Sequence, residues 1–433
     1  MRTDIAPHLL QDPDVKVSEE VLRTCVHCGF CNATCPTYLL TGNELEGPRG
    51  RIYLIKSVLE SGIKSSRQTL EHIDNCLGCL ACETTCPSGV DYSRLLEEAR
   101  PRLEKRVKRP IAERLLRTVL TRFLPYPRRL RLALKLSGLG RTFPWLLPKN
   151  MRPLLEMAPK RLPRRAELAR PGAVIPAQGE QRLRVALLTG CAQEVLGPQI
   201  NDATVRLLTR LGAEVVIPKE MGCCGALTYH MGERRQSRKL MQNNIEVWHR
   251  EMEEGGLDAI VLNTSGCATA VKEYGYIFRH DPKLAEKAQA LMALVKDVSE
   301  VIAELGLGEV GHAASLKVAY HDACSLQHGQ QITTPPRQLL KDAGFEVVEI
   351  PEGHICCGSA GTYNMLRPEL AQQLQERKAE HIKSVAPQVV AAGNIGCMEQ
   401  IAGGIQVPVV HTVELLDWAT GGRRPVQVSN ALP

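Results

Sequence analysis

The chain has 433 residues, 44% hydrophobic and 23% charged, which is the balance of a folded globular protein with room for about three domains and excludes a disordered or fibrous chain. No apolar run reaches the roughly 18 residues of a membrane-crossing helix, and the N-terminal MRTDIAPHLLQDPD lacks a basic-then-apolar signal pattern, so a cytoplasmic location is expected. Sixteen cysteines in such a chain point to metal binding or redox chemistry and away from disulfides.

The first expected unit is 1–103. It carries Cys25-Val-His-Cys28-Gly-Phe-Cys31-Asn-Ala-Thr-Cys35-Pro36 and Cys76-Leu-Gly-Cys79-Leu-Ala-Cys82-Glu-Thr-Thr-Cys86-Pro87, both of which fit C-x2-C-x2-C-x3-C-P at every position. A [4Fe–4S] cubane needs four thiolates; three closely spaced cysteines wrap three irons, and the fourth ligand comes from elsewhere. In the two-cluster pattern the cysteine before proline ligates the other cluster. This predicts Cys25, Cys28, Cys31 and Cys86 around cluster 1, and Cys76, Cys79, Cys82 and Cys35 around cluster 2. Structural zinc also takes four cysteines, but as two CxxC pairs with no use for a third cysteine at the same spacing. The stretch from Thr37 to Asn75, with the helix-like run RIYLIKSVLESG, is too long for the tight hairpin repeat of a small ferredoxin, so a mainly helical unit is expected. His27 is read as a surface residue beside the cluster, because four thiolates are already present.

The second unit is 104–183. From Lys105 to Arg170 there are 19 Lys and Arg against Glu113, Glu156 and Glu167, a local +16 within a net charge of +7, leaving −9 elsewhere. Such a patch suits nucleic acid, an anionic membrane surface or an acidic protein partner. Pro125, Pro127, Pro144, Pro148, Pro153, Pro159 and Pro163, with Pro171 and Pro176 beyond, interrupt any long helix, so short helices and linker are expected. The few aromatics there (Phe123, Tyr126, Phe143, Trp145) and the lack of a recognisable nucleic-acid fold weigh against a sensor that binds nucleic acid.

From Arg184 onward, short β-branched runs alternate with amphipathic stretches, the pattern of βαβ units around a parallel sheet. VALLTG, AEVVIP and DAIVLN are candidate strands of a unit at 184–312; LKVAYH, FEVVEI, QVVAAG and VPVVHT are those of a unit at 313–433. The two units repeat. Cys191, Cys223, Cys224 and Cys267 recur as Cys324, Cys356, Cys357 and Cys397, each half carrying a Cys-Cys-Gly triplet. All eight follow predicted strands, and the carboxyl ends of parallel strands share one edge, so the four thiols of each repeat should converge on a further redox or metal site. Buried structural cysteines are common, but packing does not explain two matched sets. A GxGxxG match at Gly306, Gly308 and Gly311 has a helix before it and a strand after it, the reverse of a dinucleotide fingerprint, and is read as a loop.

Taken together, these features resemble the iron–sulfur subunit of glycolate oxidase (glycolate dehydrogenase) and the wider group of iron–sulfur subunits of anaerobic glycerol-3-phosphate dehydrogenase and lactate-utilisation enzymes. The paired motifs, the segment Gly47-Pro48-Arg49-Gly50-Arg51 and the cores GCCGAL and HICCGSAG carry the resemblance, from about Ser18 to about Thr420. It implies an α+β multidomain chain: a helical two-cluster ferredoxin-type domain, then duplicated α/β Cys-Cys-Gly domains. It also implies an electron-transfer role, with FAD on partner subunits that oxidise glycolate and a membrane acceptor downstream, reached from the inner face of the membrane. The absence of a flavin or nicotinamide fingerprint agrees with that division. The repeats also resemble the cysteine-rich domains of heterodisulfide reductase, whose sites use five cysteines ending in CxxC. Here Thr264 and Asn394 stand where the first cysteine of that pair would be, which leaves four thiolates per repeat for a cubane or another group.

Overall fold

The computed structural model describes residues 1–60, 66–142, 158–159, 161–311 and 315–431. Helices Pro13–Thr24 (α1), Pro48–Glu60 (α2), Arg67–Asp74 (α3), Ala81–Thr84 (α4) and Tyr92–Arg106 (α5) build the N-terminal unit, which is helical as expected. Side chains that prefer to accept from backbone N–H groups set their starts: Asp12 caps α1, Ser66 caps α3 and Asp91 caps α5. Val15, Leu22, Ile52, Ile55, Ile73, Leu95 and Leu103 recur at helical spacing and close one core beneath both cysteine motifs.

The basic stretch forms two helices longer than expected, Ile111–Phe123 (α6) and Pro127–Thr142 (α7). Pro125 lies in the turn between them and Pro127 opens the second, where a proline in the first turn loses no hydrogen bond and so starts a helix instead of interrupting one. Pro144, Pro148 and Pro153, with Phe143 and Trp145, lie outside the described residues. Part of the positive charge is neutralised internally. Arg109 is buried and pairs with Asp74, Glu104 and Glu113, and Arg117 pairs with Glu104.

The first repeat is a five-stranded sheet in the order β1-β3-β2-β4-β5, with β1 Val174–Ile175, β2 Leu183–Leu188, β3 Ala213–Val216, β4 Ala259–Leu262 and β5 Val295–Asp297. Only β1 runs antiparallel. The second repeat is a four-stranded parallel sheet in the order β7-β6-β8-β9, with β6 Lys317–His321, β7 Glu346–Glu349, β8 Val389–Ala392 and β9 Val409–His411. The helices that matter below are Pro198–Arg210 (α8), Arg234–Gly255 (α9), Ser265–Lys272 (α10), Val298–Leu305 (α11), Pro368–Ser384 (α12), Ile395–Ala402 (α13) and Thr412–Ala419 (α14). β1 and β5 were not expected: two- and three-residue strands are too short to show a periodicity. Gly306 follows α11 and precedes β6, so the GxGxxG match is a helix-to-strand loop, as read.

Side chains alternate across each strand. Val185 and Leu187 on β2, and Val318 and Tyr320 on β6, face one core shared by both repeats; Ala186 and Leu188, and Ala319, face the opposite sides. Helices α8 and α14 close the shared core, where Arg206 and Arg210 both grip the fully buried Asp417 at 2.5 and 2.6 Å. His411, at the end of β9, joins the halves through Nε2 to the Asn263 carbonyl at 2.8 Å.

Candidate metal centres

The two N-terminal motifs fold alike. His27 (φ 60°) and Gly29 (φ 89°) in the first, and Gly78 (φ 63°) and Leu80 (φ 62°) in the second, take left-handed backbone at matching positions. Such reversals point successive N–H groups into one concavity suited to an anionic centre. The Gly78 N–H reaches Cys76 Sγ, and the Val90 N–H reaches Cys86 Sγ, each at 3.4 Å. His27 is exposed, as the sequence suggested.

All 16 cysteines are free thiols. Cys25, Cys28, Cys31 and Cys86 line one recess, bordered by Arg49, Tyr92 and Cys82. Burial and the neighbouring Cys25 push the Cys31 thiol up to about 11, with a further contribution from Cys86. Burial pushes Cys79 and Cys82 well above the ordinary thiol range, and both also feel Cys35 and Cys76. Thiolates packed this closely repel one another until a cation sits among them. Two sets of four sulfurs with backbone N–H donors therefore fit the cubanes that the motifs imply.

The segment from Gly47 to Arg51 carried the resemblance, but the roles of its residues, and of others around these sulfurs, were not legible in the sequence. Gly50 must be glycine, because a Cβ there would lie 2.2 Å from the Glu44 carbonyl oxygen. That close approach carries Arg51 inward, where it is 1% exposed. It pairs with Glu46 at 2.7 Å, donates to the His72 carbonyl at 2.7 Å and lies 3.9 Å from Cys35 Sγ. His72 Nδ1 and Asn75 Nδ2 meet the other Glu46 oxygen at 2.6 and 3.0 Å. The Tyr92 hydroxyl donates to Cys76 Sγ at 3.8 Å.

In the first repeat Cys191 follows β2, Cys223 and Cys224 follow β3, and Cys267 lies in the first turn of α10 after β4. Cys223 donates to Cys191 over 3.4 Å, and the Gly225 N–H reaches Cys223 Sγ at 3.4 Å. Cys224 accepts from Cys223 and Cys267, with help from the Ala226 N–H, and is held well below the ordinary thiol range; the two donors are held well above it. The second repeat reproduces this. Cys324 and Cys356 lie 3.9 Å apart, and Cys357 is the lowered thiol, accepting from Cys356 and Cys397. The expected convergence at the carboxyl edge is present in both sheets.

Thr264 and Asn394 are engaged elsewhere. Thr264 Oγ1 donates to Gln193 Oε1 at 2.5 Å; Asn394 accepts from the Gly396 N–H at 2.9 Å and donates to Ser265 Oγ at 3.0 Å. His321 was missed. Its ring and the Cys357 and Cys397 sulfurs offer donor atoms within 4.8 Å of one another, all buried. Aligning the repeats on their first cysteines sets His321 against Leu188, and that mismatch was the available signal.

The second repeat abuts the N-terminal unit at its second motif. Cys79 is close enough to Cys324 for their charges to interact, and Thr84 Oγ1 on α4 meets His328 Nδ1 at 2.8 Å. The Tyr363 hydroxyl donates to the Asn75 carbonyl at 3.2 Å, with Cys76 and Cys356 both near its ring. The first repeat meets α5 instead, through Arg94–Glu273 at 2.5 Å, Arg234–Glu98 at 2.8 Å and Tyr229 on Glu97.

A 4Fe-4S dicluster domain model matches residues 21–90, and a cysteine-rich domain model matches 185–272 and 318–402. The chain is 40% identical over 97% of its length to the glycolate oxidase iron-sulfur subunit of Escherichia coli K12, covering 99% of that protein. It is 34% identical over 94% of its length to a probable glycolate oxidase iron-sulfur subunit of Bacillus subtilis, covering 96% of it. Lactate utilization protein A of Bacillus licheniformis is 30% identical over 54% of this chain and 99% of its own. A crystal structure of a hypothetical protein from Helicobacter pylori shares the fold at a TM-score of 0.56 and 9% identity, over 96% of this chain and 74% of that one. Among the described residues no helix is long and apolar enough to cross a membrane. Paired cluster motifs, duplicated cysteine-rich sheets and a full-length match converge: this iron–sulfur electron-transfer chain belongs to the family of glycolate oxidase iron–sulfur subunits.

Proposed function

We propose that the chain carries single electrons from FAD-binding subunits that oxidise glycolate to glyoxylate towards a quinone or cytochrome acceptor at the inner face of the cytoplasmic membrane. Glycolate is favoured over lactate or glycerol 3-phosphate because the relatives matched over the whole chain are named for glycolate, whereas the lactate-named relative matches 54% of it. Cys25, Cys28, Cys31 and Cys86 would hold cluster 1, and Cys76, Cys79, Cys82 and Cys35 cluster 2. A [4Fe–4S] cluster, when bound, takes up and releases one electron at a time.

The observation that carries the reading is the order of the sulfur groups. Cys28 is exposed, beside Val26 and Phe30 at 68% and 64% exposure, which suits entry from a docked partner. Cys76 and Cys35 are buried, and Cys79 faces Cys324 of the second repeat. Arg51 places a buried positive charge against the second set and favours its reduced form; Tyr92 and the Gly78 N–H donate to the same sulfurs. On α6 and α7, exposed Arg114, Arg122, Arg128, Arg129 and Lys135 alternate with exposed Ile111, Leu115, Leu132 and Leu136, a surface fit for an anionic membrane or an acidic subunit. Affinity purification of the native chain tests the reading. FAD-containing partners and glycolate-dependent dye reduction are expected, and a complex that oxidises lactate or glycerol 3-phosphate but not glycolate would overturn the substrate.

A further inference from the structure

We infer that His321 is a nitrogen ligand of the metal centre in the second repeat, so that the two repeats hold chemically different centres. The inference rests on the proposed redox role of the repeats and adds the ligand that sets one apart from the other.

His321 ends β6 on the face turned away from the shared core and is 1% exposed. Neither Nδ1 nor Nε2 has a hydrogen-bond partner of good geometry, and among the described residues the one side chain that engages the ring is Cys357. A buried ring that faces only thiols, with no partner but sulfur, is suited to the same metal that those thiols would hold. Cys357 and Cys397 lie within 4.8 Å of it, and Cys356 and Cys324 complete the group. Asn394 cannot serve as the further donor, because both its amide atoms are committed to Gly396 and Ser265. The first repeat has no counterpart: Leu188, 2% exposed, occupies the matching strand position in an apolar cluster with Cys223 and Cys224. Its centre must rely on Cys191, Cys223, Cys224 and Cys267.

The chemical class that suits the second set is an iron–sulfur centre with mixed thiolate and imidazole ligation. A neutral imidazole adds no negative charge to the iron, and histidine ligation raises the potential of such centres over all-cysteine ones. The centre beside Cys79 is therefore the more readily reduced of the two.

The test uses the full chain, purified anaerobically after growth with unlabelled or 15N-labelled histidine, and reads nitrogen hyperfine coupling by pulsed electron paramagnetic resonance. The inference expects a coupling that changes with the histidine label. It also expects His321→Cys to lose that coupling, keep its iron and shift the second-repeat potential downward. A label-insensitive spectrum, with iron lost in both Cys357→Ser and Cys224→Ser, would overturn the ligand while leaving the redox reading of the repeats intact. Iron unchanged in both serine variants, or zinc in its place, would overturn both. The labelled wild-type spectrum decides the matter even if His321→Cys fails to fold.

Discussion

Gly358 and Gly225 explain why each cysteine pair is followed by glycine. Both take left-handed backbone, at φ 91° and 79°, where the chain turns away from the thiols; Gly225 leads directly into the helix Ala226–His230. A Cβ on Gly358 would lie 2.6 Å from the Ala371 carbonyl oxygen on α12, whereas one on Gly225 would meet Met241 and the Ser237 carbonyl oxygen on α9 at 3.0 and 3.1 Å. Gly358→Ala should therefore destabilise the chain by about 2 kcal/mol or more, and Gly225→Ala by less, measured by denaturant unfolding. Equal and negligible losses would contradict the backbone argument. Arg51 makes a second case. Arg51→Leu leaves Glu46 buried without its cation, a loss of about 3–5 kcal/mol. It should also lower the potential of the centre held by Cys76, Cys79, Cys82 and Cys35. Adding Glu46→Gln should recover stability without recovering the potential, which redox titration of both variants would show. The cysteines were legible in the sequence because cluster chemistry demands fixed local spacing. Arg51 and His321 were not, because their meaning arises only when Gly50 brings two backbones together or when β6 ends beside a loop 35 residues downstream.

At the scale of elements, seven strands were readable from β-branched runs, while β1 and β5 are held by their neighbours and not by their own pattern. The proposed crossed ligation is also a matter of elements: Cys35 stands directly before the helix Pro36–Thr41, whereas Cys86 leads into a turn ahead of α5. Cys35→Ser should damage the spectrum of the centre held by Cys76, Cys79 and Cys82. Loss of the other signal would refute the crossing. His411 ties the ends of the two sheets together. Burial pushes its pKa down to about 4, with Nε2 donating to the Asn263 carbonyl and Nδ1 accepting from the Val413 N–H. The unfolded chain takes a proton near pH 6.5 and the folded one does not until about pH 4. Stability is thus fully present above the first value and lost as pH falls towards the second, by up to about 3 kcal/mol. Unfolding followed between pH 7.5 and 5 should show this fall in the wild type and a flatter profile in His411→Gln; parallel profiles would exclude His411 as its source.

For the whole molecule, the sequence foretold a helical two-cluster unit followed by duplicated sheets. It did not foretell that the repeats share one core through α8 and α14, because that depends on which faces of two sheets meet. Nor did it show that Arg109 and Arg117 are spent on internal pairs, which lowers the charge available to a partner below the nominal +16. The exposed remainder on α6 and α7 should still hold the chain to anionic vesicles or to an acidic subunit. Such attraction is screened beyond about 8 Å at physiological salt, so binding should weaken as salt rises. Retention unchanged between low and high salt would point to hydrophobic attachment by Ile111, Leu115, Leu132 and Leu136. In the proposed function, this chain accepts electrons from glycolate oxidation into protein-bound iron–sulfur centres. The most direct test is low-temperature paramagnetic resonance of the anaerobically isolated native complex before and after glycolate, with iron counted on the same sample. At least about eight irons per chain, from two four-iron cubanes, and signals that appear when glycolate is added are the expected result. Zinc with little iron, or centres that dithionite reduces but glycolate leaves silent, would contradict it.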